Sequence, residues 1–243
     1  MKLSPSQKTP FSQRVTAEFL GTLALVYFSA GAICAEEALR AAGRAGSGSV
    51  GPAIAYGATY AALVAALGSR TAGYFNPAVA IGRWVTRRLN TFQTLLACAA
   101  ELGGATVGAY LLRWSMPEDV WRIAAGGAPD LASGVTRTPG MLIEGVVTFF
   151  VVLVLLGVGG DAASESPLAG RWAAGLAAGL MVTAGALFEG PFTGAAMNPA
   201  RAFGPAIAAR HLQNHGVYWV GPLAGGILAA WILDAIFRQR TGE

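Results

Sequence analysis

The chain has 243 residues, of which 54% are hydrophobic and only 12% are charged. Soluble domains carry roughly 25% charged residues, so this deficit indicates a protein embedded in lipid. The mean hydropathy of +0.51 points the same way. The formal net charge of +4 comes from scattered basic residues rather than from a clustered stripe, which argues against nucleic acid as a partner.

The sequence offers little that could carry metal or covalent chemistry. Cys34 and Cys98 lie in or at the end of apolar blocks, so we expect small buried side chains rather than a disulfide or a metal site. No cluster of His, Cys and carboxylate has metal spacing, and no nucleophile stands with a base. We therefore expect no metal, no cofactor and no enzymatic activity. His211 and His215 lie in the outer connection before the last span and are predicted to be surface residues rather than ligands.

Six apolar blocks are long enough to cross a bilayer, since a span needs roughly 20 mostly apolar residues. The predicted spans are Val15–Cys34, Val50–Leu67, Thr91–Leu112, Met141–Val158, Trp172–Phe188 and Val217–Phe237. Two further apolar segments, Pro77–Val85 and Pro199–Ala209, are too short. At 1.5 Å per residue, about ten residues reach only half way across a bilayer.

The order of these segments is an internal repeat. Two spans, a half-span and a third span occur at about residues 11–113 and again at about residues 138–238, within a single domain of residues 1–243. Because each copy crosses the bilayer an odd number of times, the second copy is inverted. Broken segments at corresponding places of inverted repeats predict a permeation site at the midplane. The fold class is thus an all-α membrane protein with six transmembrane helices and two half-helices.

The basic residues favour both termini on the cytoplasmic side, because inner loops carry an excess of Lys and Arg. The inner set is Lys2, Lys8, Arg14, Arg70, Arg83, Arg87, Arg88, Arg171, Arg238 and Arg240, and the outer set is Arg40, Arg44, Arg113, Arg122, Arg137 and Arg210. The first ten residues are polar, so we expect a short cytoplasmic tail rather than a cleavable signal peptide.

Both half-spans begin with the same tripeptide. The two copies are Asn76-Pro77-Ala78 and Asn198-Pro199-Ala200. Pro is favoured at the first helical position and Asn is a preferred N-cap, so each tripeptide predicts a helix start. Capping uses the side-chain oxygen of Asn and leaves its NH2 free to donate. The small Ala lets two helix starts approach each other.

An inverted repeat places both helix starts at the midplane, where two positive dipole ends face the same point. Two Asn donors can hold the oxygen of a passing water there, whereas a cation meets an unfavourable field. One such tripeptide alone is weak evidence, since Asn-Pro is a common turn signal. Two copies at equivalent places of a repeat indicate a pore for uncharged molecules.

Four stretches of the chain resemble the major intrinsic protein family, the aquaporins and aquaglyceroporins. They are TAGYFNPAVAIG (Thr71–Gly82), GPFTGAAMNPARAFGPA (Gly190–Ala206), AEFLGT (Ala17–Thr22) and YWVGPLAGG (Tyr218–Gly226). The second is most similar to vacuolar-type plant members and to similar bacterial proteins. The resemblance implies an integral protein of the bacterial inner membrane that forms a homotetramer with one pore per subunit.

The resemblance also implies a selectivity filter on the outer side, made by Tyr56, Ala186, Ala195 and Arg201. Arg201 lies three residues after Asn198, hence on the same helix face one turn outward. A charge within a membrane is costly and usually functional, so we expect Arg201 to donate to the solute and to repel cations.

Several positions depart from the family pattern. Ala186 stands where water-selective members usually have His, Ala195 is also small, and Tyr74 stands where the first loop usually has His. Ala202 replaces the Asp that is typical of glycerol facilitators. The sequence therefore does not decide whether the solute is water, ammonia, urea or glycerol.

Two carboxylates, Glu18 and Glu144, occupy equivalent places in the two repeats. They could be proton-relay groups. Alternatively, each accepts N–H bonds from the irregular loop before a half-helix, which lipid cannot satisfy, and the duplication favours this structural role. Glu101 stands where the family usually has Gln and could be its neutral substitute.

Three functions fit these features. The first is a passive channel for water and small uncharged solutes within the lipid bilayer. The second is an ion-coupled secondary transporter, which can also have inverted repeats and broken helices but needs a titratable or ion-binding group at the midplane. The third is a membrane-junction or scaffold protein with little flux.

Overall fold

The computed structural model describes residues 10–68, 70, 74–165 and 167–237, and the described residues form helices and loops without β-strands. The helices are α1 (Phe11–Ala41), α2 (Val50–Leu67), α3 (Pro77–Val85), α4 (Thr91–Ser115), α5 (Glu118–Ile123), α6 (Arg137–Glu165), α7 (Pro167–Thr193), α8 (Pro199–Ala209) and α9 (Val217–Phe237). The predicted N-terminal tail before Pro10, and Thr71–Gly73, Arg238 and Arg240, lie outside the described residues.

Six of the described helices are long and apolar enough to cross a membrane, which confirms the predicted number of spans. Several are longer than predicted. Helix α1 runs from Phe11 to Ala41 rather than from Val15 to Cys34, and α7 extends to Thr193 rather than to Phe188. Hydropathy marks the apolar part of a span, whereas helical hydrogen bonding continues into the interface where polar side chains are solvated.

The segment between the two repeats contains the short helix α5 and a 3₁₀ turn at Ala125–Gly127. Val120 and Trp121 of α5 are buried in a cluster with Val26 and Leu112 of the first repeat. The sequence pattern missed α5 because a six-residue helix is too short to show a periodicity.

The helices pack in two symmetric sets. Helix α1 packs on α4 and α6 packs on α9, while α2 and α7 pack on each other across the repeats. Each half-helix packs on the last span of the other repeat, α3 against α9 and α8 against α4. This exchange of half-helices is the inverted-repeat fold, and it brings the starts of α3 and α8 together in the interior.

Glycines set the close approach of these helices. A Cβ at Gly104 or Gly108 of α4 would overlap the backbone of α1, at Leu23 in the case of Gly108. Gly221 and Gly225 of α9 meet the backbone of α6 in the same way. Lipid gives no hydrophobic drive for helix association, so these backbone contacts supply the dispersion energy that holds the spans together.

Candidate pore and selectivity filter

Helices α3 and α8 begin with the same capped geometry. Asn76 has an extended backbone, and its side-chain oxygen accepts the N–H of Ala78 at 2.9 Å. The side-chain oxygen of Asn198 accepts from Ala200 at 2.9 Å and from Arg201 at 3.3 Å. Each helix has Pro at its first turn, where the missing N–H leaves no unpaired donor.

The two motif asparagines are also linked to each other's loops. The Asn76 amide donates to the carbonyl of Met197 at 3.1 Å, and the Asn198 amide donates to the carbonyl of Phe75 at 2.8 Å. The sequence led us to expect a free NH2 on each side chain. One of the two N–H bonds of each amide is in fact used by this link, so one per side chain is left for a permeating molecule.

Phe75 and Met197, the residues before the two asparagines, both have left-handed backbones, with φ of 64° and 54°. Residues with a Cβ rarely adopt this conformation, and it persists only where surrounding contacts hold it. Two carboxylates supply those contacts. Glu18 accepts the N–H of Phe75 at 2.8 Å, and Glu144 accepts the N–H of Met197 at 2.7 Å.

Each carboxylate binds further groups of its loop. Glu18 also accepts from the Tyr74 N–H at 3.2 Å. Glu144 accepts from the Ala196 N–H at 3.0 Å and from the Thr193 hydroxyl at 2.8 Å. Both carboxylates are buried, and their equivalent contacts are those that a structural role requires.

Glu101 adds a third contact to the first loop. Its Oε1 accepts the N–H of Asn76 at 3.0 Å, while its Oε2 has no hydrogen-bond partner among the described residues. The amide oxygen of a Gln could make the same bond, so this geometry suits the neutral substitute that the family resemblance suggests.

The four predicted filter residues are all buried. Tyr56, Ala186 and Ala195 belong to one packed cluster. The guanidinium carbon of Arg201 lies 5.6 Å from the centre of the Tyr56 ring. The Tyr56 hydroxyl donates to the carbonyl of Ala196 at 2.8 Å, which fixes the ring against the loop before α8.

Arg201 is buried, and part of its guanidinium group has no hydrogen-bond partner among the described residues. Its Nε and Nη1 have no hydrogen-bond partner within the part of the chain that the structure describes. A buried guanidinium with unpaired N–H groups is costly unless water or a polar solute completes its shell. Val79 takes the equivalent place on α3 and is buried, so only one of the two half-helices carries a charge at this position.

Glu189 is a residue that the sequence reasoning missed. It is 0% exposed, and neither carboxylate oxygen has a hydrogen-bond partner among the described residues. It lies on α7 three residues after Ala186, and it is within electrostatic reach of Glu144 and Arg201. A carboxylate between the predicted span Trp172–Phe188 and Gly190-Pro191 was the available signal, and the structure places it inside the span.

The two histidines are only partly exposed, and His211 has a charged partner that the sequence did not indicate. His211 Nε2 lies 2.8 Å from an oxygen of Asp130, and Asn214 donates to the same carboxylate at 3.0 Å. His215 is half-buried, and burial lowers its pKa. Burial would raise the pKa of Asp130, but hydrogen bonds from Asn214, from the Leu131 N–H and from His211 outweigh it and hold that pKa below its usual value.

Cys34 is buried and Cys98 is half-buried, and both are free thiols, as expected of small apolar packing residues. Tyr74 has Arg83 above its ring, with 5.5 Å from the guanidinium carbon to the ring centre. Ala202 is buried against Tyr218 and Val217, away from solvent.

Six apolar spans that enclose two half-helices, meeting start to start, define an integral membrane protein with a polar site at its midplane. The sequence matches the family described as Major intrinsic protein over residues 5–233. It is 36% identical to aquaporin TIP4-4 from Zea mays, over 94% of this chain and 88% of that protein. It is 32% identical to aquaporin-4 from Bos taurus, over 93% of this chain and 68% of that protein. The chain belongs to the major intrinsic protein family.

A solved structure shows the same fold. The aquaglyceroporin from Plasmodium falciparum has a TM-score of 0.78 at 18% identity, covering 94% of this chain and 98% of that chain. Family membership indicates a channel rather than an enzyme.

Proposed function

We propose that this protein is a passive channel that conducts water and at least one larger uncharged solute, such as ammonia, urea or glycerol, and that excludes protons and ions. The family match and the likeness to aquaporins support the channel class. The observation that supports the wider solute range is the filter itself, in which the unpaired N–H groups of Arg201 are combined with two alanines.

The chemistry of this filter suits small amphipathic molecules. Arg201 offers donors to an oxygen of the solute, while Ala186 and Ala195 offer neither bulk nor a hydrogen bond. A filter restricted to water needs a bulky polar group opposite the arginine, both to narrow the gap and to replace lost hydration. With alanine there, a solute can turn its polar edge to Arg201 and its apolar edge to the alanines.

Two aromatic side chains could in principle fill the space beside the alanines. Tyr56 is held in place by its hydrogen bond to the Ala196 carbonyl. Phe192 is partly exposed and packs against the exposed ring of Phe188, with 6.1 Å between the ring centres. These contacts support a filter that stays wide.

Exclusion of ions follows from charge and dipoles. The N-termini of α3 and α8 present their positive ends at the midplane, and Arg201 adds a fixed positive charge one turn outward. A cation, including hydronium, loses hydration there and meets this positive field. The carboxylates of Glu18 and Glu144 are engaged by the loop N–H groups, and the buried Glu189 lies within electrostatic reach of Arg201.

The same contacts argue against an ion-coupled transporter. Such a protein needs a titratable or ion-binding group at the midplane. The side chains that join the two half-helix starts are Asn76 and Asn198, neither of which titrates. The carboxylates of Glu18, Glu101 and Glu144 accept backbone N–H groups of the same loops, which favours a structural role over ion coupling. A flux that depends on a proton gradient would favour the transporter instead.

We assign the protein to the bacterial inner membrane as a homotetramer, with both termini in the cytoplasm. The excess of Lys and Arg on the inner side supports the orientation. Gly190–Ala206 is similar to vacuolar-type plant members and to bacterial family members, and the bacterial similarity supports the location. The family resemblance supports the tetramer. Cross-linking in native membranes and protease access to tagged termini test these assignments.

Stopped-flow light scattering on proteoliposomes tests the proposed function. Protein-containing vesicles should shrink faster than empty ones in sucrose, with a low activation energy, and a pH-sensitive dye inside them should show no added proton leak. Proton conductance comparable to that of a proton channel would contradict the proposal.

A further inference from the structure

A basic pocket lies at the end of the molecule towards which α8 runs from Asn198. The C-terminal ends of α4 and α8 and the short helix α5 enclose a cavity of about 360 Å³. Its wall contains Arg113, Arg122, Arg210 and His211, with Trp121 and a single carboxylate, Glu118. The proposed pore makes no use of these residues.

Most of this positive charge is not neutralised within the described chain. The Nη1 of Arg113 donates to the Ala208 carbonyl at 3.2 Å, which leaves other N–H groups of its guanidinium available. The side chains of Arg122 and Arg210 make no ion pair with the described residues. His211 is paired with Asp130. Three guanidinium groups therefore face one carboxylate around one concave space.

An alternative reading is that these arginines are ordinary solvated residues at helix ends, where a cation also interacts favourably with the helix dipole. Each arginine does stand at a helix C-terminus, Arg113 in the last turn of α4, Arg122 in the last turn of α5 and Arg210 at the C-cap of α8. The dipole therefore accounts for each charge singly, but it does not account for the convergence of all three on one cavity. A concave set of guanidinium groups matches a phosphate group, whose oxygens accept two N–H bonds from each planar fork.

The apolar surface beside the pocket indicates which kind of molecule carries the phosphate group. Val107, Leu111 and Trp114 are exposed at positions i, i+4 and i+7 of α4, so they form one stripe that leads to Arg113. Trp114 is 77% exposed, and Ile123, next to Arg122, is 59% exposed. Trp at the end of a transmembrane helix marks the membrane–water interface.

We propose that this pocket binds the phosphate group of an anionic phospholipid, with the acyl chains along the Val107–Trp114 stripe. The excess positive charge favours a lipid with net negative charge over a zwitterionic one. Ala208 and Ala209, the last residues of α8, also line the pocket. A bound lipid would thus support the outer end of the helix that carries Arg201.

The test compares two double variants that remove equal charge. Arg122→Gln with Arg210→Gln alters the pocket, whereas Arg40→Gln with Arg44→Gln alters exposed arginines outside it. Native mass spectrometry of detergent-purified protein counts bound phosphatidylglycerol and phosphatidylcholine. A thermal-shift series adds phosphatidylglycerol, phosphatidylcholine or inorganic phosphate.

We expect phosphatidylglycerol to bind and to raise the melting temperature of the unmodified protein and of the Arg40/Arg44 variant, with little effect of phosphatidylcholine. Loss of two charge-assisted contacts should weaken binding to the Arg122/Arg210 variant by about tenfold or more. Equal loss in both variants, or equal binding of the two lipids, would overturn the site. Protection by inorganic phosphate as strong as by phosphatidylglycerol would overturn the assignment to lipid. If the double variant does not fold, Arg122→Gln alone is held to the same criteria.

Discussion

The side chains of Asn76 and Asn198 are tied to each other's loops in opposite directions. Each amide donates to the carbonyl of the residue before the other asparagine, at 3.1 Å and 2.8 Å. Each side-chain oxygen meanwhile caps its own helix. A single residue type therefore starts both half-helices, joins the repeats and keeps one N–H for the pore.

Asn198→Asp separates these roles. Aspartate keeps the capping oxygen, so α8 should still form. It cannot donate to the Phe75 carbonyl, and it places a negative charge at the midplane. The buried Phe75 carbonyl is then left without its donor, so we expect the free energy of unfolding to fall by about 1–3 kcal/mol and the melting temperature to drop. We also expect a measurable cation leak. Planar-bilayer recordings check the leak, and conductance equal to that of the unmodified protein would contradict the assigned exclusion role.

The two buried glutamates of the second repeat should respond differently to neutralisation. The carboxylate of Glu144 accepts three hydrogen bonds, from the Thr193 hydroxyl and from the N–H groups of Ala196 and Met197. In Glu144→Gln at least one of these donors faces the NH2 group of Gln, which should lower the free energy of unfolding by about 1–3 kcal/mol. Glu189→Gln removes an unpaired carboxylate beside Glu144, so stability should be unchanged or higher. Melting temperatures in detergent compare the two, with the exposed Glu118→Gln as a control.

Equal destabilisation by Glu144→Gln and Glu189→Gln would show instead that Glu189 serves as a counter-ion of Arg201. Glu18→Gln is expected to resemble Glu144→Gln, with lower yield but unchanged solute preference in the surviving protein. Normal yield with lost flux would favour a proton relay.

Restoring bulk opposite the arginine should narrow the filter. Ala186→His places a polar ring where the unmodified protein has a methyl group, so urea and glycerol flux should fall by an order of magnitude or more while water flux persists. Ala178→His would be a poor control, because that side chain is packed in the core. Ala186→Ser, which adds polarity with little bulk, is better matched and should keep most solute flux. Unchanged solute flux in Ala186→His would contradict the assigned filter.

The Asp130–His211 pair predicts acid sensitivity. The folded state holds the pKa of Asp130 below its usual value, so its ionised form stabilises the fold at neutral pH. That contribution is present above the ordinary pKa of about 4 and is lost as the pH falls through the lower folded value. The melting temperature should drop below about pH 4, and less steeply in Asp130→Asn. Identical pH profiles would show that this pair contributes nothing measurable.

Local chemistry made much of the fold predictable. In each Asn-Pro-Ala tripeptide the Asn caps the helix and the Pro occupies its first position, so the starts of α3 and α8 could be predicted from the tripeptides alone. The contacts of Glu18 and Glu144 were predictable from the internal repeat. Each repeat has an irregular loop whose backbone N–H groups need an acceptor, and each repeat has a carboxylate at the equivalent position.

Features that depend on distant partners were not predictable in this way. His211 owes its environment to Asp130, 81 positions earlier. Glu189 has no equivalent in the first repeat that would draw attention to it. The buried side of α5 depends on the packing of Val120 and Trp121 against residues of α1, α4 and α8.

Solute uptake in proteoliposomes tests the central claim most directly. Vesicles containing the unmodified protein are mixed rapidly with a hyperosmotic solution of urea or of glycerol, and their volume is followed by light scattering. In a separate assay, an inward ammonia gradient is applied and ammonia entry is followed with a pH-sensitive dye inside the vesicles. The filter of Arg201, Ala186 and Ala195 predicts rapid shrinkage followed, for at least one solute, by entry faster than in empty vesicles. Rapid water-driven shrinkage with urea, glycerol and ammonia all entering no faster than in empty vesicles would contradict it.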